Sequence, residues 1–189
     1  VLLPQGKPTM EAWDNRNWRI VSDGSVEVNG GDARTSAKFG DFTLHVEFRV
    51  PYLPGGSGQD RGNSGVYFCD RYEIQVLDSF GIEPESHQCA GIYGIAAPRV
   101  NAALPPGSWQ TYDIVFRAPV LGPDGAVVTP ATFVRVEWNG VLVHENVPCP
   151  KSTGGASEDF VSSAPLRLQD HGHRVRYRNM WVVEGAPQP

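Results

Sequence analysis

The sequence predicts an all-β fold, an antiparallel sandwich or jelly roll of two sheets with one concave polar face that takes a ligand. Three observations carry this expectation. About ten short segments alternate apolar and polar residues with the period of a strand. Glycine and proline, 21 and 16 of the 189 residues, punctuate those segments where tight turns are needed. No segment sustains a helical period and no repeat or linker divides the chain, so residues 1–189 read as one domain.

The elements follow in order. Trp18–Val21 and Ser25–Asn29 flank an Asp23-Gly24 turn, and Gly30-Gly31 closes the second segment. Phe42–Val50 alternates throughout, with Phe42, Leu44, Val46, Phe48 and Val50 on one face and Thr43, His45, Glu47 and Arg49 on the other. Pro51 then ends it, because proline cannot donate to a ladder. Residues 52–63 are rich in Gly, Pro and Ser and read as a loop. Gly65–Cys69 and Arg71–Leu77 form a hairpin around Asp70-Arg71. Residues 79–103 make a long connection of the kind that covers or builds a site. Trp109–Phe116, Ala131–Trp138 and Val141–His144 are further strands, the last two joined by an Asn139-Gly140 turn of type I′. Leu166–Gln169 and Val175–Val183 complete the set.

Bulk properties narrow the partners. A net charge of −5 argues against a nucleic-acid surface, which needs clustered Lys and Arg. No apolar run approaches the roughly 20 residues of a membrane span. The chain starts at Val1 rather than Met, which fits a removed signal peptide and gives the expectation of a secreted or periplasmic protein. Cys69, Cys89 and Cys149 leave two alternatives, one Cys69–Cys89 bridge or three buried thiols. Five histidines and many carboxylates leave a divalent metal cofactor open, although no pair has the helical spacing of a zinc motif. Oligomeric state is not legible.

The stretch Arg71–Asp78 carries the most chemistry. Arg71, Glu73 and Gln75 share one strand face, opposite Tyr72, Ile74 and Val76. One extra residue before Asp78, a β-bulge, would bring that carboxylate to the side of Glu73. Two carboxylates on one face suit glycosidic-bond chemistry, one protonating the leaving group and the other attacking or activating water. Asn63 precedes the neighbouring strand, and its amide suits sugar hydroxyls. Tyr67 and Tyr93 are candidate stacking platforms for sugar rings. Gln169 and His171 share a parity at a strand end and form a candidate rim, whereas Asp170 before His171-Gly172 is of the kind that organises a turn.

Several of these motifs together resemble the 3-keto-disaccharide hydrolase domain family, long known as a domain of unknown function. They are Gly62-Asn-Ser-Gly65, Tyr72-Glu-Ile-Gln-Val-Leu-Asp-Ser79, Trp109–Ile114, the Asn139-Gly140 hairpin, Leu168-Gln-Asp-His-Gly172 and Arg178-Asn-Met-Trp181. The resemblance runs from Trp18 to Val183. It implies a concanavalin A-like sandwich related to laminarinase- and lichenase-type glucanases, and an oligo- or polysaccharide or glycoside as ligand. Those glucanases carry an E-x-D-x-x-E strand, and Glu73, Gln75 and Asp78 stand at its positions here. The amide at the centre sets this chain apart from retaining glucanases.

A sugar oxidised at C3 calls for different chemistry, because its carbonyl acidifies the C2 hydrogen. A base can then take that proton while the glycosidic oxygen leaves, and water adds to the enone. Glu73 is the candidate base, Asp78 the second carboxylate and His171 the acid. Arg71 or Arg178 would balance the oxyanion, with Asn63, Tyr67, Gln75, Tyr93 and Gln169 as further substrate contacts. Two other readings stay open, a non-catalytic carbohydrate-binding module and a glycoside hydrolase acting on unmodified glucans or fructans.

Overall fold

The computed structural model describes residues 1–6, 8–154, 157 and 159–185. Its strands are β1 (Arg19–Ile20), β2 (Val26–Glu27), β3 (Ala33–Phe39), β4 (Phe42–Arg49), β5 (Ser64–Phe68), β6 (Tyr72–Val76) and β7 (Gln110–Arg117). They continue as β8 (Val120–Leu121), β9 (Val127–Thr129), β10 (Ala131–Trp138), β11 (Val141–Cys149), β12 (Ala164–Leu168) and β13 (Arg176–Glu184). The only described helix is a single 3-10 turn, Gly58–Asp60, so none is long and apolar enough to cross a membrane.

Two antiparallel layers face each other. The larger sheet has seven strands in the order β1-β2-β13-β4-β7-β10-β11, and the smaller has four in the order β3-β12-β5-β6. A two-stranded ribbon, β8-β9, stands apart from both. The alternation in β4 does what its sequence predicts: Phe42, Leu44, Val46 and Phe48 are fully buried, and the intervening polar residues face outward. Phe42 and Phe116 from the larger sheet meet Phe68 from the smaller, with ring centroids 5.6 and 5.0 Å apart. Phe133 joins them at 5.0 Å from Phe68. Apolar burial between the layers is the dominant stabilising term of such a sandwich.

Some elements depart from the sequence reading. β3 has no clean alternation: only Ala33, Thr35 and Phe39 are buried, and its pairing with β12 shifts between Pro165 and Arg167. Its strand state is imposed by partners distant in sequence, which include a bridge from Trp13 to Thr35. β11 runs to Cys149 because β10 pairs with it as far as Ala131. All three cysteines are free and buried, so the thiol alternative holds.

Candidate active site

The β5–β6 hairpin builds the centre of the site. Cys69 and Asp70 have φ of 53° and 50°, and the Arg71 N–H bonds to the Phe68 carbonyl at 3.0 Å. The turn is therefore of the I′ kind, centred one residue earlier than the sequence suggested. The register that follows sets Tyr67 opposite Glu73 and Gly65 opposite Gln75. These residues lie on the outer face of the smaller sheet, with Tyr72, Ile74 and Val76 packed into the core.

A cavity of about 290 Å³ opens on that face. The sheet contributes Tyr67, Glu73 and Gln75, and Gln59 and Asn63 come from the 3-10 turn and the segment after it. Tyr93 belongs to the long 79–103 connection and Gly154 to the loop after β11, while Gln169 and His171 follow β12. The face is hidden because two segments cover the edge of β6. Gln75 exchanges backbone bonds with Ala90 and Gly91, and Tyr93 N–H bonds to the Glu73 carbonyl at 3.1 Å. Thr153 donates from its own N–H to the Arg71 carbonyl at 3.0 Å, and its Oγ1 accepts the Glu73 N–H at 3.1 Å.

Glu73 is only 3% exposed. Burial pushes its carboxyl up to about 7, against the opposing effect of the Tyr67 hydrogen bond. That bond runs from the Tyr67 hydroxyl to Oε2 at 2.9 Å. No described donor meets Oε1. Tyr67 is itself fully buried, and burial together with the neighbouring carboxylate pushes its phenol well up, so it stays an O–H donor. Gln169 Nε2 donates to the same hydroxyl at 3.2 Å.

The amides opposite form a directed chain. Gln59 Nε2 donates to the His87 carbonyl at 2.9 Å, which turns its Oε1 toward Asn63 Nδ2 at 3.0 Å and Gln75 Nε2 at 2.8 Å. Gln75 Oε1 in turn accepts the Val76 N–H at 3.1 Å. Backbone groups anchor both ends, so the O and N positions follow from the bonding pattern. Asn63 Oδ1 and Gln169 Oε1 are left as buried acceptors without a donor among the described residues.

The structure thus brings together Asn63, Tyr67, Glu73, Gln75, Tyr93, Gln169 and His171, the last of them exposed. It does not bring in Asp78, Arg71 or Arg178. β6 pairs with β5 without a bulge and ends at Val76, so Asp78 lies beyond the strand. Its carboxylate binds Arg61 at 3.0 Å and caps the Phe80 N–H at 3.2 Å. The Arg71 side chain turns to the loop after β11, donating to the Ser157 carbonyl at 2.7 Å and lying 3.8 Å from the Phe160 ring centroid. Arg178 sits on β13 of the other sheet, bound to Glu47 at 2.6 Å and 4.0 Å from the Trp109 ring centroid. Tyr67 is no open stacking platform, because the Arg167 guanidinium lies 3.6 Å from its ring centroid. Asp170 closes a local turn onto the Gly172 N–H at 2.8 Å.

Gln59, Thr153 and Gly154 escaped the sequence reading, since they lie in loops without a pattern. Their one legible sign is membership of loops around a polar strand face. Among the described residues no three His, Cys, Asp or Glu side chains converge as a metal-ligand set.

The fold and the family emerge from comparison with known proteins. A Parabacteroides distasonis ATCC 8503 protein provisionally named a glycosyl hydrolase superposes with a TM-score of 0.87 at 34% identity, over 98% of this chain and 83% of that one. The carbohydrate-binding module CBM66 of Bacillus subtilis shares the fold at a TM-score of 0.50 and 11% identity, over 92% and 96% of the two chains. A mutant of alginate lyase Aly36B, in complex with an alginate tetrasaccharide, does so at 0.50 and 11%, over 95% and 88%. No curated protein matches significantly. The family model described as the 3-keto-alpha-glucoside-1,2-lyase-like domain matches residues 2–183, and the chain belongs to that family.

Proposed function

We propose that this domain acts on a carbohydrate and that its cavity breaks the glycosidic bond of a sugar carrying a carbonyl at C3. The observation that carries the reading is the state of Glu73. It is a buried carboxylate with a proton affinity near neutrality and one oxygen without a described partner. Such a group suits proton abstraction at physiological pH.

In the reaction, Glu73 Oε1 takes the C2 proton and the electron pair moves into the C2–C3 enolate. The enolate then collapses to a C1–C2 double bond as the bond from C1 to the glycosidic oxygen breaks. His171 at the rim delivers a proton to the departing oxygen. Water adds at C1 and gives up one proton to His171, which restores the acid, and the proton held by Glu73 returns to C2. The second amide N–H of Gln75 and that of Gln169 are donors of the lining available to the enolate oxygen, the first of each being given to Gln59 and Tyr67. Hydrolysis by two carboxylates fits less well, because among the described lining residues Glu73 is the one carboxylate.

The test compares a 3-keto disaccharide with its unoxidised parent, with products followed by chromatography. The oxidised sugar should be cleaved, and Glu73→Gln should slow that cleavage by about 10²–10⁴-fold. Cleavage of the parent sugar alone would support an ordinary glycoside hydrolase. Binding without any product would support a carbohydrate-binding module.

A further inference from the structure

Gly65 stands within β5, opposite Gln75, and its φ is not in the left-handed region. The backbone therefore has no need of glycine there. A strand-interior glycine instead costs about 0.5–1 kcal/mol through its greater freedom in the unfolded chain. Space supplies the reason. A Cβ built on Gly65 would lie 2.2 Å from Glu73 Oε1, 2.9 Å from its Cδ and 3.1 Å from its Cγ. The carboxylate thus crosses from β6 and rests over the bare backbone of β5. This position lets Oε2 reach the hydroxyl of Tyr67, two residues along the same strand face. The Gly65 carbonyl also accepts the Gln169 N–H at 3.0 Å, which pins the end of β12 beside that seat.

We infer that Gly65 is a positioning residue whose missing side chain forms the seat of the Glu73 carboxylate. This rests on the reading of Glu73 as the base. A methyl group at position 65 meets the far end of a flexible side chain, so the side chain can swing away and the fold can survive. What is lost is the seat, together with the Tyr67 bond and the burial that set the proton affinity of Glu73.

Gly65→Ala tests this with two readouts that a merely structural glycine would not move. In a carboxyl ¹³C NMR titration without substrate, the Glu73 midpoint near 7 should fall by at least about one unit toward the ordinary carboxylate range. With a 3-keto glycoside, kcat should fall roughly 100-fold with a smaller change in KM, and the acidic limb of the rate profile should move with the midpoint. An unchanged midpoint overturns the inference. If the variant does not fold, Gly65→Ala is made in a Glu73→Ala background, where the seat is empty. Folding restored there supports the inference, and failure in both backgrounds overturns it. A shifted midpoint in a protein that cleaves no sugar would leave the seat standing and remove the catalytic reading of Glu73.

Discussion

The burial of the Glu73 carboxyl comes at a cost in stability. Its folded-state proton affinity is raised from 4.5 to about 7, so the folded chain holds the proton more tightly than the unfolded one. The stabilising effect of that proton is complete below pH 4.5 and is lost as pH rises to about 7. Two and a half pH units correspond to roughly 3 kcal/mol. Glu73→Gln keeps an acceptor for Tyr67 and removes the charge. It should therefore be more stable than the wild type by about 1–3 kcal/mol at pH 8 and equal to it near pH 4, read by urea denaturation. At this scale the sequence was partly legible. Strand parity places Glu73 and Gln75 together, and the opposite strand supplies Tyr67. Asp78 was not legible because it lies past the end of the ladder, where parity no longer determines direction. Arg71 was not legible either, since its partners Ser157 and Phe160 lie more than 80 residues along the chain and leave no local trace.

Among the elements, β6 shows how an edge strand becomes the centre of a site. Its backbone is completed by residues 90–93 on one stretch and by Thr153 on another. These segments shield the edge from other chains and bury the polar face. Thr153→Val removes the acceptor of the Glu73 N–H and leaves that buried group unpaired. The expected loss is about 1–3 kcal/mol of stability in urea denaturation. A change under a few tenths of a kcal/mol would mean that the Thr153 hydroxyl contributes nothing to the edge. The two covering segments differ in how far the sequence revealed them. The length of the 79–103 connection marked it as a cover, whereas the loop after β11 had no such sign. β3 is the clearest omission. Its polar residues and interrupted register give neither period, and its conformation is dictated by Trp13 and β12. By contrast β4 and β7 were legible because each buries one clean face, and β10 because Ala131 and Phe133 on one side of its bulge and Val136 and Trp138 on the other are buried.

For the molecule as a whole, the two outer faces of the sandwich divide the polar residues between them. The smaller sheet holds the cavity. On the larger, His45 bonds Asp113 at 2.6 Å, stacks on Trp181 at 5.2 Å and neighbours Glu47, which Arg178 and Asn179 also bind. The Asp113 hydrogen bond raises the proton affinity of His45. Its contribution is therefore complete below pH 6.5 and is lost as pH rises through the raised folded value. His45→Gln should lower the melting temperature more at pH 5.5 than at pH 8.5. It should leave sugar cleavage unchanged, because the cavity lies on the other sheet. A large loss of activity in that variant would tie the two faces together. Alternation and hairpin turns made the two-layer architecture legible. The assignment of Arg178 to the same site as Glu73 failed because sequence pattern does not tell which sheet a strand joins.

The proposed step is removal of the C2 proton of an oxidised sugar by Glu73. It is tested most directly by the turnover of a 3-keto glycoside carrying deuterium at C2, measured beside the protiated compound by the wild type and by Glu73→Gln. With proton removal as the limiting step, the wild type should cleave the deuterated sugar severalfold more slowly, and Glu73→Gln should show little turnover of either. Equal rates for the two compounds in single-turnover experiments, or full activity in the Glu73→Gln variant, would contradict the account.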